Sequence, residues 1–217
     1  MARKSKADVR RREILEHFYQ VISENGLEGA SIANIAKHMG VHPSLLIHYF
    51  TTKEEMICGL VEYMLERYEE TYFSEIDGIK NPQKRLNALL NMLFGKGWIR
   101  LIDDTVFYAC YYLSYRDQRI QDRFLKMYDK FRHLLRDEIK LYMDAGIVDV
   151  DDVENAVHFI LALAEGVDFY GNVHGQNRYS EAFCRYVRKQ ALAFLKYEGG
   201  IKKQRSVPRA KIKRRTI

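Results

Sequence analysis

The sequence predicts an all-α protein, with a small three-helix unit at its N-terminus followed by a larger helical body. Three observations lead there. Proline occurs only at 43, 82 and 208, so helices can run long almost everywhere. No stretch of alternating β-branched residues bounded by hairpin turns is present. Residues 31–50, SIANIAKHMGVHPSLLIHYF, read as two short helices around a tight turn. At 217 residues and 47% apolar content, the chain can bury one or two real cores.

The first helix carries Ile14, Leu15, Phe18 and Ile22 and ends near Gly26-Leu27. Ser31 is placed to cap the second, whose apolar face is Ile32, Ile35, Ala36 and Met39 at i, i+3, i+4 and i+7. Gly40 ends it, because glycine takes positive φ at little cost and lets the chain turn sharply. Val41 anchors the turn. His42 and Pro43 open the third helix, proline being tolerated in a first turn where its missing N–H is not needed. Leu45, Leu46, Tyr49 and Phe50 supply apolar anchors. A helix, a glycine turn and a second helix make the layout of a DNA-binding helix-turn-helix. An ordinary helical hairpin inside a core shows the same pattern. The run Arg3, Lys4, Lys6, Arg10, Arg11 and Arg12, with Asp8 as its one acid, favours the nucleic-acid reading, because such a run suits phosphates.

In the body, helices are predicted over 53–76 (buried stripe Met56, Leu60, Tyr63, Met64), 82–98 (Leu86, Leu89, Leu90, Leu93), 103–115, 117–144, about 151–173 and 180–197. Charge is unevenly spread. The total is +6, yet residues 1–53 hold eight Lys/Arg against five Asp/Glu, and residues 202–217 hold eight against none, so the segment between them is net acidic. Attraction to DNA belongs to the ends. The basic tail reads equally as a disordered solubilising extension or an auxiliary DNA-binding arm.

Cys58, Cys110 and Cys184 are odd in number and far apart, with no C-x-x-C pair, so neither a disulfide framework nor a zinc site is expected, and reduced cytoplasm is the expected setting. The start lacks the apolar stretch of a secretory signal, and the most apolar window, 156–167, is too short to span a bilayer. No membrane association, metal or cofactor is expected. No nucleophile elbow, phosphate loop or metal-ligand spacing is found, so a helical enzyme is the least supported class and no catalytic residue is assigned.

Residues 13–60 resemble the N-terminal domain of the TetR family of bacterial transcriptional regulators. The resemblance rests on Gly26-Leu27, Ile35-Ala36, Gly40-Val41, His48-Tyr49-Phe50 and Lys53-Glu54-Glu55. Members usually place Ser or Thr where His42 stands, a tyrosine that often touches phosphate where Ile47 stands, and a small residue at Leu45. The resemblance implies a DNA-binding domain over 1–52, an effector-binding and dimerisation domain over 53–198, and a tail over 199–217. It also implies a dimeric regulator, most often a repressor released from its double-stranded operator by a small molecule. The alternative is a DNA-binding protein of the same fold without such an effector, controlled by a protein partner.

Site residues follow. Ser31, His42, Pro43, Ser44, Leu45, His48, Tyr49 and Lys53 are assigned to DNA. His42, Pro43, Ser44 and Leu45 are placed nearest base edges, with Leu45 meeting a thymine methyl, and His48, Tyr49 and Lys53 are placed on the backbone. Aromatic density over 94–115 lies where the family's ligand pocket should be. Trp98, Phe107, Tyr111, Phe159 and Glu165 are assigned to an effector that is aromatic, apolar or cationic, since aromatic walls hold apolar groups and cations alike. Glu165 and Asp168 can face one way; with His158 they read either as a polar ligand site or as a surface or interface stripe. The last two long helices, with Ile160 and Phe194 among their apolar residues, are expected to form a homodimer interface.

Overall fold

A computed structural model of the chain describes residues 5–95, 102–173 and 181–197. Trp98 and the basic tail lie outside the described residues. Among those described, every regular element is helical.

Helix α1 (Lys6–Gly29) opens on a capping box, in which the Ser5 hydroxyl accepts from the Asp8 amide and the Asp8 carboxylate accepts from the Ser5 amide. It breaks at Gly26, where φ is +70°. Ser31 caps α2 (Ile32–Met39), accepting from the Asn34 amide at 3.1 Å, and Gly40 ends it in the left-handed region at φ 66°. A Cβ added at Gly40 would meet nothing within 4 Å, so backbone conformation and not space calls for glycine there. Helix α3 (Pro43–Tyr49) begins on Pro43 behind His42 as its cap.

Helix α4 (Lys53–Tyr72) passes into a π-helical turn at Phe73–Asp77 instead of remaining α-helical to Ile76. Arg85 explains the wide turn: its Nη1 takes the carbonyls of Ile76 at 2.9 Å and Asp77 at 3.1 Å. Helix α5 (Pro82–Phe94) starts on an Asn81 cap and stops four residues short of the expected end, where Gly95 turns extended. Then come α6 (Asp104–Ser114), α7 (Gln118–Asp144), α8 (Val153–Val173) and α9 (Glu181–Phe194). Asp103, Asp117 and Asp152 accept from the first amides of α6, α7 and α8, as anionic caps should.

Two apolar cores form. The first joins α1, α2 and α3 to the N-terminal two-thirds of α4, to Val106 and Cys110 of α6, and to Phe124 and Phe131 of α7. The second joins the end of α4 to α5, the C-terminal half of α7, α8 and α9. Helix α4 belongs to both, so it mechanically ties the small N-terminal unit to the body. Ile160 is 1% exposed within the second core and is therefore a packing residue of the monomer, not an interface residue.

Candidate nucleic-acid interface and central cavity

The helix-turn-helix presents one face of α3 to solvent. Leu46 and Phe50, one turn apart, are fully buried and seat the helix on the first core. The opposite face exposes His42, Ser44, Ile47 and His48. His42 Nδ1 accepts from the Ser44 amide and lies 2.8 Å from the Ser44 hydroxyl. A backbone amide only donates, so Nδ1 carries no proton and Nε2–H remains as a donor. Pro43 and Tyr49 are half-buried, and the Tyr49 ring meets His48 edge-on at 5.0 Å. Ser31 is exposed at the start of α2, beside exposed Asn34 and Lys37. Leu45 differs from expectation: it packs against the core, and Ile47, 54% exposed, is the aliphatic side chain on the outer face. The spacing of the buried pair Leu46/Phe50 was the available signal, since it sets the phase of the helix.

Basic residues that read as phosphate ligands are in part structural. Arg11 donates to the Tyr49 carbonyl and to Glu55 at 3.1 Å, with its guanidinium 4.1 Å from the centre of the Phe50 ring. Arg10 pairs with Glu13, and Arg12 with Glu66 and Glu70 of α4. Lys53 Nζ donates to the Leu27 carbonyl at 2.8 Å, tying the end of α1 to the start of α4. An ammonium has three donors, so one is committed here. His17 and His38 bring their Nδ1 atoms within 2.9 Å and link α1 to α2. Lys6 and Lys37 stay exposed.

In the body, α4, α5, α6, α7 and α8 line two neighbouring pockets, each with Tyr68 in its wall. One is apolar: Tyr72, Leu89, Met92, Leu93, Phe131 and Leu161 are among its walls, and it holds about 480 Å³ of empty space, counting what is open to solvent. The other is acidic, lined by Ile102, Asp104, Phe107, Glu165 and Asp168, and holds about 290 Å³ on the same measure. Of the expected effector residues, Phe107 and Glu165 line the acidic chamber. Tyr111 stands beside it, stacked with Phe107 at 6.2 Å. Phe159 does not belong there. It is 40% exposed and stacks on Phe194 at 4.0 Å, on the outer face of α8 and α9. His158 is exposed as well and is not grouped with Glu165 and Asp168.

Burial raises the Glu165 carboxyl to about 7, with Asp168 adding repulsion and a Tyr128 hydrogen bond offsetting part of the rise. Tyr108 donates to Asp168 at 3.3 Å, and burial first, then the Asp168 charge, push its hydroxyl up to about 12. The acidic chamber adjoins the helix-turn-helix unit. Asp103, one residue before α6, accepts from the Ser23 hydroxyl at 2.6 Å, and its amide donates to the Tyr19 hydroxyl, both on α1.

The outer face of α8 and α9 carries several exposed apolar side chains among the described residues. Phe159, Phe169, Tyr170 and Val173 on α8 and Tyr186 and Phe194 on α9 are each 40% exposed or more. Ala162 and Gly166 interrupt the α8 stripe with small side chains, and space is open over Gly166. Among the described residues no group of three or more His, Cys, Asp or Glu is arranged to hold a metal. No described helix is long and apolar enough to cross a membrane.

Comparison with known proteins bears on both regions. Residues 14–58 match the model of the bacterial regulatory proteins of the tetR family, and residues 81–197 match the tetracyclin repressor-like C-terminal domain. The chain is 23% identical over 159 residues to the HTH-type transcriptional regulator BetI of Rhizobium meliloti (strain 1021), covering 73% of this chain and 76% of that one. It is 26% identical over 193 residues to the nucleoid occlusion factor SlmA of Aliivibrio fischeri, covering 82% and 84%. A transcriptional regulator from Saccharomonospora viridis, solved in complex with choline, has the same fold: TM-score 0.70 and 19% identity over 88% of this chain and 97% of that one.

Proposed function

This chain belongs to the TetR family of bacterial transcriptional regulators, and on that premise we propose that it is a homodimeric repressor released from its operator by a small molecule in the central cavity. The observation that carries the DNA half of this reading is α3: a helix pinned by Leu46 and Phe50 that offers His42, Ser44, Ile47 and His48 to solvent. A major groove admits such a helix. His42 Nε2–H and the Ser44 hydroxyl supply polar readout, Ile47 supplies an apolar contact for a thymine methyl, and His48, Tyr49, Ser31 and Lys53 serve the backbone. The reader extends to residue 52, and the effector and dimer domain begins with α4.

The exposed stripes of α8 and α9 support dimerisation through those two helices. Their aromatic side chains form a patch of the kind monomeric proteins rarely expose. A twofold axis there sets two α3 helices about 34–36 Å apart, on successive major grooves.

Helix α4 supports a coupling route. Tyr68 and Tyr72 line the cavity, while Lys53 and Glu55 at its other end hold the Leu27 carbonyl and Arg11. A ligand that fits the cavity only when α4 is displaced moves the reader and changes the spacing of the two recognition helices. Such a ligand regulates by preferring the DNA-incompetent state; tight binding to both states shifts nothing. Selection from random duplex DNA by the purified protein tests the reading. The expected product is a near-palindrome whose half-sites lie one helical turn apart. Selection of asymmetric sites by a monomer in sedimentation sinks it.

A further inference from the structure

We propose that His17 and His38 form a chelating pair for a divalent transition-metal ion that takes ligands at right angles, nickel(II) or copper(II), and that the ion fastens α1 to α2 inside the reader. The site lies outside the helical body and depends neither on the effector reading nor on the dimer.

The pair comes from two helices whose positions the core sets. Ile14, Phe18 and Val21 of α1 and Ile35 and Ala36 of α2 are buried together in the first core, and His17 and His38 meet at its edge. Their Nδ1 atoms stand 2.9 Å apart, and the ring centres 5.0 Å apart with the planes at 70°. A bound metal sits about 2.0–2.1 Å from an imidazole nitrogen, so nitrogens 2.9 Å apart subtend about 90° at the ion. That is the angle between neighbouring ligands in a square-planar or octahedral shell, which suits copper(II) and nickel(II). Tetrahedral zinc asks for nitrogens about 3.3 Å apart and fits only if the pair opens.

A contact this short needs one proton between the two nitrogens, so without metal one ring donates from Nδ1 to the other. An ion takes the place of that proton. The donor ring shifts to its Nε2–H tautomer, both Nδ1 lone pairs turn toward one point, and two neutral imidazoles become ligands. His38 is exposed, which gives its ring room for that turn. Water completes the shell, because among the described residues no third His, Cys, Asp or Glu joins the pair. Hard ions such as magnesium prefer oxygen and gain little from two imidazoles. Other histidines are set differently. His42 is committed through Nδ1 to Ser44, and His133 Nδ1 lies 2.6 Å from the Arg136 guanidinium, a cation that repels a metal. The unfolded chain holds no such bite, so an ion bound here stabilises the folded reader.

Nickel, zinc and magnesium chlorides, each titrated into the full chain after dialysis against chelator, test the site by calorimetry and melting temperature. Nickel is expected to bind more tightly than zinc and to raise the melting temperature by roughly 5 °C or more at a hundredfold excess over Kd, with no response to magnesium. His17→Gln and His38→Gln are each expected to weaken nickel binding roughly tenfold or more while every other histidine remains. Paramagnetic broadening by nickel in amide spectra is expected to centre on residues 17 and 38. Equal nickel binding by the wild type and either variant, or an equal response to magnesium, means an adventitious ion only and overturns the proposal. If a variant does not fold, the broadening in the wild type decides: centred on 17 and 38 it supports the site, and centred elsewhere or absent it overturns it. Zinc binding more tightly than nickel at this pair overturns the right-angle geometry and the metal class with it.

Discussion

Ile47 illustrates how a single residue divides structure from function. It is 54% exposed on a helix whose neighbouring positions 46 and 50 are buried, so its removal costs the fold little. Ile47→Ala is expected to leave the melting temperature unchanged and to weaken operator binding by about 1–2 kcal/mol, with the loss concentrated at one thymine position. Anisotropy against operators substituted at each position checks this. A uniform loss at all positions shows that Ile47 does not read sequence. Glu165 is a second residue whose setting can be read out. Its carboxyl sits at about 7, faced by Asp168 on its own helix, Asp104 and Tyr111 from α6, Tyr68 from α4 and Tyr128 from α7. The folded value lies above the unfolded one. Protonated Glu165 therefore favours the folded state; that contribution is full below the unfolded carboxylate range and is lost as pH rises through about 7. Melting temperatures across that window should fall with pH in the wild type and lose that slope in Glu165→Gln. A flat profile in the wild type refutes this account of the residue.

At the scale of elements, buried polar groups set where helices stop and how they hold one another. Arg11 joins α1 to the end of α3 and the start of α4 through the Tyr49 carbonyl and Glu55. Arg11→Met is expected to cost about 1–3 kcal/mol in denaturant unfolding while leaving the salt slope of DNA binding intact. A slope smaller by about one makes Arg11 a phosphate ligand instead. Glu138, 3% exposed, binds α4, α5 and α7 into one knot. It accepts from Tyr72 at 2.6 Å, from Tyr142 and from Arg85 at 2.6 Å. Burial alone would raise its carboxyl, but the bonds from Arg85, Tyr142 and Tyr72 outweigh burial and hold it below the usual range. Its stabilising contribution is present above the unfolded carboxylate value and lost as pH falls through the lowered folded one. Glu138→Gln removes the buried carboxylate that pairs with half-buried Arg85, leaving that arginine the Ile76 and Asp77 carbonyls, and is expected to cost about 3–5 kcal/mol. Urea titration at neutral pH measures it, and a loss under 1 kcal/mol would show that the knot contributes little.

For the molecule as a whole, the proposed dimer interface is the exposed apolar face of α8 and α9. Phe159→Asp or Tyr186→Asp is expected to give a folded monomer with normal helicity and greatly weakened operator binding, since each reader alone keeps half the contacts. Ile160→Asp is expected to unfold the chain, because Ile160 is buried inside the monomer. Sedimentation with circular dichroism separates the two outcomes. A Phe159→Asp protein that remains dimeric removes this face from the interface.

The helix-turn-helix was legible without a structure because its determinants are local. Ser31 caps, Gly40 turns through positive φ and Pro43 starts α3, all within a dozen residues and each for a backbone reason that no distant contact alters. Most helix boundaries were legible for the same cause. The break at Phe73–Asp77 was not, since it depends on Arg85 reaching back to carbonyls from the next helix. Tertiary structure alone decided which face of each helix turns inward. Phe159 and Glu165 lie six residues apart, about 120° around α8 by the shorter arc, so they point to different sides of the helix. Both faces of that helix are apolar enough to be buried, and only the packing against α4 and α7 turned Glu165 in and Phe159 out. The arginines follow the same logic: sequence shows a basic run, whereas the proximity of Glu55, Glu66 and Glu70, brought in by α4, determines that much of it is spent holding the reader together. Local backbone chemistry is written in neighbouring residues; the partner of a long charged side chain, and the inward face of a helix apolar on two sides, exist only once distant elements have met.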